Sequence, residues 1–293
     1  MNASRSSFGK AKPHVAKPEP GVTRIAAVQL ASGPNVKGNL NETGRLIEMA
    51  AAQGAKLVAL PEYFAIMGMR DGDKVKAREK PGSGPIQEFL AAQARRHGIW
   101  LVGGTLPLAA PQADRVLNTT LVFDPQGTRV ARYDKIHLFA FSKGTESYDE
   151  ARTIAPGAQI TVFDVAPEGG PRIKVGLSVC YDVRFPELYR AMGQPDLILV
   201  PAAFTATTGR AHWETLLKAR AVENLCYVLA PAQGGRHENG RATFGHSMLI
   251  DPWGTVTSVR PEGPGVVTGE IDLQMIASVR TDLPALAHRV IGR

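Results

Sequence analysis

The segment from 172 to 188, RIKVGLSVCYDVRFPEL, constrains the fold more than any other part of the chain. Alternate positions from 173 to 177 are apolar, a spacing that favours a half-buried β-strand. The strand pattern ends at Cys180, and Pro186 stands in the first turn of a predicted helix. The sequence therefore predicts a thiol at the carboxyl end of a buried strand, where open α/β sheets carry their chemistry. A buried structural cysteine is the competing interpretation.

Strand-like and helix-like segments alternate along the rest of the chain. An apolar strand pattern over 23–30 precedes a helix pattern with Asn39 as its predicted N-cap, and a second apolar strand follows over 56–60. This order is typical of α/β proteins whose parallel sheet is buried on both faces. The matching segments KLVALPE and DLILVPAA predict two similar halves packed as one domain.

Other segments give less regular signals. The segments 65–84 and 140–159 show neither a strand nor a helix pattern and are predicted to be long loops. A hairpin is predicted around 125–127, and a helix is predicted over 212–224. The two predicted loops flank the segments that contain the candidate functional residues.

Composition excludes several classes of protein. The chain has 293 residues and is 44% hydrophobic and 21% charged, which is ordinary for a globular protein. It contains neither an apolar run of about 18 residues nor a signal-peptide hydrophobic region, so no membrane association is predicted. Its two cysteines, Cys180 and Cys226, make no disulfide framework, which favours a reducing compartment and a cytoplasmic location.

The N-terminal segment differs from the remainder of the chain. Residues 1–21 hold four basic side chains against one acidic one and few large apolar residues, so a disordered basic tail is predicted. Residues 22–293 are predicted to form a single folded domain. Charge of both signs is mixed along that domain, which argues against a nucleic-acid partner.

Three segments share one design, in which a buried strand or hairpin ends at a reactive polar residue. They are LVALPE with Glu62, RYDK with Lys135 and GLSVC with Cys180. A thiol needs a nearby base or positive charge to act as a nucleophile. A carboxylate supplies the base, and a lysine can hold the oxyanion that forms on attack at a carbonyl. The three residues together predict acyl-transfer chemistry, although the chain has enough Glu and Lys for chance to supply such a set.

The segments LPE, YDKIHLF and GLSVCYDVRFPEL, in this order, resemble the nitrilase (carbon–nitrogen hydrolase) superfamily from about residue 22 to residue 290. The resemblance implies an α/β fold of the four-layer α-β-β-α sandwich type over a domain spanning 22–293. It implies a catalytic triad of Glu62, Lys135 and Cys180 that works without a metal or an organic cofactor. It also implies a homodimer or a higher homo-oligomer.

The residues after the nucleophile indicate which branch of the superfamily the chain resembles. Tyr181 and Asp182 follow Cys180, which resembles the amidase-type branch rather than the nitrile-cleaving members. The implied activity is hydrolysis of an amide in a small carboxylated metabolite through a thioester, with ammonia as the released product and deaminated glutathione as the expected substrate. An ω-amidase acting on α-keto acid amides and an N-carbamoyl amino acid amidohydrolase are alternatives within the class. A catalytically silent scaffold is the alternative outside it, and the complete triad counts against that interpretation.

The resemblance also implies roles around the triad. Glu62 would act as the base, while Lys135 and the Tyr181 backbone N–H would hold the oxyanion. Glu150 aligns with a second family glutamate and would orient Lys135 or the water. Two further residues are predicted to bind substrate with an alternative left open: Arg184, which could instead pair with Asp182 or Glu187, and Thr205, which could instead lie in a plain loop. The histidines lack paired metal-ligand spacing, so no metal site is predicted.

Overall fold

The structure is a computed structural model that describes residues 21–144 and 146–291. The predicted basic tail, apart from Gly21, lies outside the described residues. The first half of the chain contains these elements in order: β1 (Val22–Gln29), α1 (Val36–Ala52), β2 (Leu57–Ala59), α2 (Asp73–Lys76), α3 (Pro85–His97), β3 (Trp100–Val102), β4 (Leu106–Ala109), β5 (Val116–Phe123), β6 (Arg129–Asp134), β7 (Ala140–Lys143), β8 (Glu146–Asp149) and β9 (Ile154–Ala155).

The second half follows a similar plan. Its elements are, in order, β10 (Val162–Val165), β11 (Ile173–Leu177), α4 (Pro186–Ala191), β12 (Leu197–Leu199), α5 (Ala206–Asn224), β13 (Tyr227–Ala230), β14 (Gly234–Arg236), β15 (Ala242–Phe244), β16 (Ser247–Ile250), β17 (Val256–Arg260), β18 (Gly265–Asp272) and α6 (Leu273–Asp282). Short 3₁₀ turns span Glu150–Arg152 and Cys180–Arg184.

Each half builds one sheet around three parallel strands. The first sheet has the order β18-β1-β2-β3-β5-β4, with β6 and β9 also paired to β5. Its strands β1, β2 and β3 are parallel, with Ile25 opposite Leu57 and Leu57 opposite Trp100. The second sheet has the order β10-β11-β12-β13-β16-β17, and β11, β12 and β13 are parallel. The carboxyl ends of the parallel strands therefore lie along one edge of each sheet.

The two sheets pack face to face, and helices cover their outer faces. Along β1, Ala26 and Val28 belong to a buried cluster with apolar residues of α1 and α3. The alternate residues Ile25 and Ala27 belong to a second cluster with β11 of the other sheet, because successive side chains of a strand point to opposite faces. Trp213 of α5 is fully buried against the far side of the second sheet. The molecule is thus an α-β-β-α sandwich, which confirms the predicted fold class.

Helix starts were predicted less accurately. Helix α1 begins at Val36 and its N-cap is Asn35, whose side chain accepts a hydrogen bond of 3.0 Å from Gly38 N–H. The predicted cap, Asn39, lies inside the helix and binds Gly33 N–H at 2.9 Å and the Ala65 carbonyl at 2.8 Å. Helix α5 likewise begins at Ala206 rather than at 212. Both predictions were wrong because several polar residues near each start can cap a helix.

The two segments predicted as loops contain short regular elements. Segment 65–84 includes the four-residue helix α2, and segment 140–159 includes the β7–β8 hairpin followed by a 3₁₀ turn. Both segments contribute residues to the pocket that contains Cys180, so their conformation decides which side chains line it.

Candidate active site

The three residues that end the predicted strands lie together at the edge between the sheets. Glu62 follows β2, Lys135 follows β6 directly, and Cys180 opens the 3₁₀ turn that follows β11. Lys135 Nζ is 2.9 Å from Glu62 Oε1. Glu62 and Cys180 line one pocket, and Lys135 lies directly behind Glu62 with its side chain fully buried. The fold therefore assembles the predicted set from residues far apart in the chain.

The backbone of the cysteine turn has an unusual conformation. Cys180 has a φ of 50°, in the left-handed region that side chains other than glycine rarely adopt. Such a conformation costs roughly 1–3 kcal/mol and persists where surrounding contacts hold it. The Cys180 N–H donates to the Pro201 carbonyl at 2.9 Å, and Val179 N–H donates to Asp182 Oδ2 at 2.8 Å. These bonds hold the thiol at a defined point of the strand-to-helix turn.

Asp182 joins the cysteine turn to the segment that carries Lys135. Its buried carboxylate accepts a hydrogen bond from the Tyr133 hydroxyl at 2.7 Å and one from the His137 backbone N–H at 3.0 Å. The His137 ring Nδ1 lies 2.7 Å from the same carboxylate. Lys135 stands midway between Tyr133 and His137, so both sides of its segment are tied to the turn of Cys180. Sequence reasoning offered Asp182 only as a possible partner of Arg184, and the structure corrects that.

Glu62 is held by two groups that sequence reasoning missed. Asn118 Nδ2 donates to Glu62 Oε1 at 2.9 Å, and the Ala203 backbone N–H donates to Glu62 Oε2 at 2.9 Å. Asn118 is a polar residue inside the buried strand β5, which is the one signal that could have marked it. Gly104 permits the close packing behind Glu62, because a Cβ there would lie 2.1 Å from the Pro61 carbonyl oxygen.

Glu150 lies on the other side of Lys135. Its carboxylate oxygens are 2.8 and 3.0 Å from Lys135 Nζ. The Tyr63 hydroxyl donates to Glu150 at 2.6 Å, and the Phe139 backbone N–H donates at 2.8 Å. The placement agrees with a role in orienting Lys135. Tyr63 was missed by sequence reasoning although it adjoins Glu62.

The charges of the site follow from burial and from these contacts. Burial alone would lower the pKa of Lys135, but Glu150 and Glu62 raise it well above its usual value, so the ammonium stays charged. Burial would raise the pKa of Glu150, but Lys135 lowers it below the usual value. Burial and the neighbouring Glu62 raise the pKa of Cys180 well above that of a free thiol. The resting site therefore holds a protonated thiol, a lysine cation and an ionised Glu150.

The pocket encloses about 720 Å³, including the open space at its mouth. Thr205 lines it, but its hydroxyl oxygen caps α5 by accepting a hydrogen bond of 3.3 Å from Thr208 N–H. The Tyr181 ring packs edge-on against Phe139 and Phe185. Tyr181 is not among the residues that line the pocket, and its backbone N–H has no acceptor among the hydrogen bonds of the described residues.

Arg184 is not brought to this pocket. Its guanidinium lies over the rings of Tyr181 and Phe204, at 5.8 and 5.3 Å from their centroids. One of its nitrogens is 3.3 Å from His212 Nδ1. Within the described part of the chain it forms no ion pair with Asp182 or Glu187. The placement gives no support to the predicted contact between Arg184 and a substrate carboxylate.

Three other basic side chains line the pocket, and none of them was singled out from the sequence. Arg152 lies 3.6 Å from Asp149, and Arg241 lies 3.4 Å from Asp71 while packing over the Tyr148 ring. Lys74, on α2, is buried with its ammonium 4.7 Å from the centre of the Tyr63 ring. They come from loops and short elements without periodicity, so the sequence contained no signal that selected them.

Within residues 21–144 and 146–291, no three histidine, cysteine or acidic side chains are grouped closely enough to bind a metal ion. None of the helices in those ranges combines the length and the apolar composition needed to cross a membrane.

A thiol beside a buried carboxylate–lysine–carboxylate group, on an α-β-β-α sandwich, defines the class of carbon–nitrogen hydrolases. The sequence model of the carbon-nitrogen hydrolase family matches residues 24–281, and the chain belongs to this family. This confirms the resemblance found in the motifs. The chain is an enzyme of the carbon–nitrogen hydrolase type.

Individual proteins of this family are similar to the chain over most of its length. A protein of Synechocystis sp. named deaminated glutathione amidase is 42% identical over 269 residues, covering 90% of this chain and 97% of that protein. The Homo sapiens protein of the same name is 38% identical over 271 residues, covering 90% of this chain and 81% of its own length. A crystal structure of a Saccharomyces cerevisiae member of branch 10 of the nitrilase superfamily superimposes with a TM-score of 0.80 at 31% identity, covering 90% of this chain and 95% of that one.

Proposed function

We propose that this protein hydrolyses the amide of deaminated glutathione, with Cys180 as nucleophile, Glu62 as general base and Lys135 as the cation that stabilises the oxyanion. The observation that carries the proposal is the buried contact of 2.9 Å between Lys135 Nζ and Glu62, in the wall of the pocket that also exposes Cys180. The similar proteins of Synechocystis and Homo sapiens supply the choice of substrate.

The first step moves a proton without changing the charge of the site. Glu62 takes the proton of the Cys180 thiol as Sγ bonds to the amide carbonyl carbon. The raised pKa of the thiol makes this base necessary, because little thiolate exists before substrate arrives. The carbonyl oxygen becomes an oxyanion, which Lys135 and the free Tyr181 N–H stabilise. Glu150 and Tyr63 hold Lys135 in position during this step.

The second half of the reaction reverses these roles. The carbon–nitrogen bond breaks as Glu62 gives its proton to the leaving nitrogen, and an amine departs from the thioester. Glu62 then takes a proton from water, whose oxygen attacks the thioester carbon. The carbon–sulfur bond breaks, the thiol regains its proton, and a carboxylic acid leaves. The residues present perform every step.

The leaving group depends on the substrate. In deaminated glutathione the amide nitrogen belongs to the cysteine of a cysteinylglycine unit. Hydrolysis of that amide therefore releases 2-oxoglutarate and the dipeptide. Ammonia, the product expected from the sequence, would be released from primary amides such as 2-oxoglutaramate.

The proposal is tested with purified protein and four compounds: deaminated glutathione, 2-oxoglutaramate, an N-carbamoyl amino acid and a simple nitrile. We expect release of 2-oxoglutarate to be fastest from deaminated glutathione. Cys180→Ala should lower kcat/KM by about 10³-fold or more, because it removes the nucleophile. The matched control is Cys226→Ala, since Cys226 is equally buried but lies outside the pocket.

Several outcomes would contradict the proposal. Faster turnover of 2-oxoglutaramate would assign an ω-amidase, and turnover of the nitrile alone would exclude an amidase. Undiminished activity in Cys180→Ala would exclude the thiol mechanism. The homodimer and the cytoplasmic location stay predictions of the sequence, as do the individual roles of the site residues until these variants are measured.

A further inference from the structure

Lys74 differs from the other cations that line the active-site pocket. It is 9% exposed, and its ammonium lies over the Tyr63 ring rather than beside a carboxylate. Arg152 and Arg241 have side chains that are 68% and 35% exposed, and each has an acidic partner. Among the described residues, no hydrogen-bond acceptor or acidic partner is in contact with Lys74 Nζ.

A largely buried ammonium without a direct partner is costly, because it has lost part of its hydration and forms no ion pair in return. The Tyr63 ring offsets only part of that cost, since a cation–π contact is weaker than an ion pair with a desolvated carboxylate. An apolar side chain of similar length would fill the same space on α2 without this cost. The unpaired charge is therefore suited to an anion that enters from the pocket.

We infer that Lys74 binds the carboxylate on the acyl side of the substrate, so that the enzyme acts on amides of dicarboxylic acids. This inference rests on the proposed function. The acyl part stays attached to Cys180 as a thioester while the amine leaves, so its anchor belongs in the buried part of the pocket. Arg241 is more exposed and already compensated by Asp71, which suits it less to that task.

The position of Tyr63 supports this assignment. Its ring lies under Lys74, and its hydroxyl donates to Glu150, which contacts Lys135. Tyr63 thus contacts both Lys74 and the carboxylate that binds Lys135. Lys74 lines the same pocket as Glu62, Glu150 and Cys180, so a substrate whose carboxylate binds Lys74 lies in the pocket that contains the thiol.

The test compares Lys74→Met with Lys76→Met. Lys76 is on the same helix but is 82% exposed, so its replacement is the matched control. We expect Lys74→Met to lower kcat/KM for 2-oxoglutaramate by about 10- to 100-fold relative to butyramide, which has no carboxylate. The ratio between the two amides should be the same in Lys76→Met and in wild type. Methionine keeps the length and removes a buried charge, so folding should be preserved.

A second measurement does not depend on turnover. Saturating 2-oxoglutarate should slow alkylation of Cys180 by iodoacetamide in wild type and in Lys76→Met, but not in Lys74→Met. An equal loss of activity on both amides, or equal protection in Lys74→Met, would overturn the role of Lys74 and leave the proposed function standing.

The proposed function can also fail while the inference about Lys74 stands. If wild type hydrolyses neither deaminated glutathione nor 2-oxoglutaramate, the proposed function fails and the protection assay decides the inference. Protection lost only in Lys74→Met would then support a dicarboxylate site, and absence of protection in wild type would overturn it.

Discussion

Two lysines of the site are buried, and their environments are opposite. Lys135 contacts Glu62 and Glu150, which raise its pKa well above the usual value. Lys74 contacts the face of the Tyr63 ring and has no carboxylate partner among the described residues, so burial lowers its pKa. The same side chain therefore occurs once with its charge compensated by the protein and once without compensation.

Under the inference above, Lys135 belongs to a permanent part of the site, and Lys74 belongs to a part that gains its counter-ion when substrate binds. A lysine between two carboxylates has its charge compensated in the empty enzyme. A lysine without a counter-ion makes the empty enzyme less stable and gains most when an anion binds. Burial alone does not distinguish these cases, whereas the partners of each ammonium do.

The backbones that carry the two lysines differ in the same way. Lys135 is flanked by Tyr133 and His137, which both bind the buried Asp182. Lys74 is on α2, a helix of four residues in an otherwise irregular segment. Lys135 is thus held by the bonds that tie its segment to the cysteine turn. Lys74 is on a short helix that lacks such bonds to the cysteine turn.

The largest effect should come from breaking the compensated group. Lys135→Met removes the cation that we propose stabilises the oxyanion, and it leaves Glu62 and Glu150 buried without their counter-ion. We expect kcat/KM to fall by about 10³-fold or more. The free energy of unfolding should fall by about 3–5 kcal/mol, measured by urea denaturation.

A double variant separates these two losses. Lys135→Met combined with Glu150→Gln removes one of the unpaired carboxylates and should recover part of the stability but none of the activity. Activity retained in Lys135→Met, or unchanged stability in both variants, would contradict the role of Lys135 as a compensated catalytic cation.

An intermediate effect should follow from loosening the connection to the cysteine turn. Asp182→Asn keeps the shape of the side chain but weakens its bonds to Tyr133, His137 and Val179. We expect kcat to fall by about 10- to 100-fold with little change in KM, because Cys180 and Lys135 lose their relative position. Stability should fall by about 1–3 kcal/mol.

The control for this variant is Asp164→Asn. Asp164 forms an exposed ion pair with Arg172, so its replacement should change neither kcat nor stability measurably. A rise in KM at unchanged kcat for Asp182→Asn would mean that Asp182 affects substrate binding instead of the position of the catalytic groups.

The smallest effect concerns how the free energy of unfolding depends on pH, which should differ between the two lysines. The pKa of Lys74 is lowered, so its ammonium destabilises the folded state at low pH, and this penalty disappears as pH rises towards the ordinary lysine pKa of about 10.4. At about pH 6, the free energy of unfolding of Lys74→Met should therefore equal that of wild type or exceed it by up to about 2 kcal/mol. The difference should shrink as the pH is raised from about 6 towards the ordinary lysine pKa of about 10.4.

Lys135 predicts the opposite dependence. Its pKa is raised, so its stabilisation is fully present below about 10.4 and is lost only as pH rises through the raised value. Urea unfolding of wild type, Lys74→Met and Lys76→Met across this pH range measures the dependence predicted for Lys74, and Lys135→Met in the same series measures that of Lys135. A loss of stability in Lys74→Met that does not depend on pH would show that Lys74 is compensated after all.

Much of the fold and of the site could be predicted from local sequence. The α/β class follows from apolar strand patterns that alternate with helix patterns, because each period reflects which face of an element is buried. Glu62, Lys135 and Cys180 could be selected because each is a reactive side chain at the end of such a strand. The motifs that contain them then indicated the family and its four-layer sandwich.

Other parts could not be predicted because they depend on contacts between distant segments. Asn118 and Ala203 bind Glu62 across separations of 56 and 141 residues, and local sequence contains no record of such pairs. Asn39 was predicted as the N-cap of α1, but its side chain binds Gly33 and Ala65, and Asn35 caps the helix instead.

The sequence by itself determined which elements form and which chemical groups stand at their ends. Only the tertiary structure decided which buried charges have partners, placing Lys135 between two carboxylates and Lys74 over an aromatic ring. The physical reason is that strand and helix preferences act between near neighbours, whereas the energy of a buried charge depends on every group that surrounds it in space.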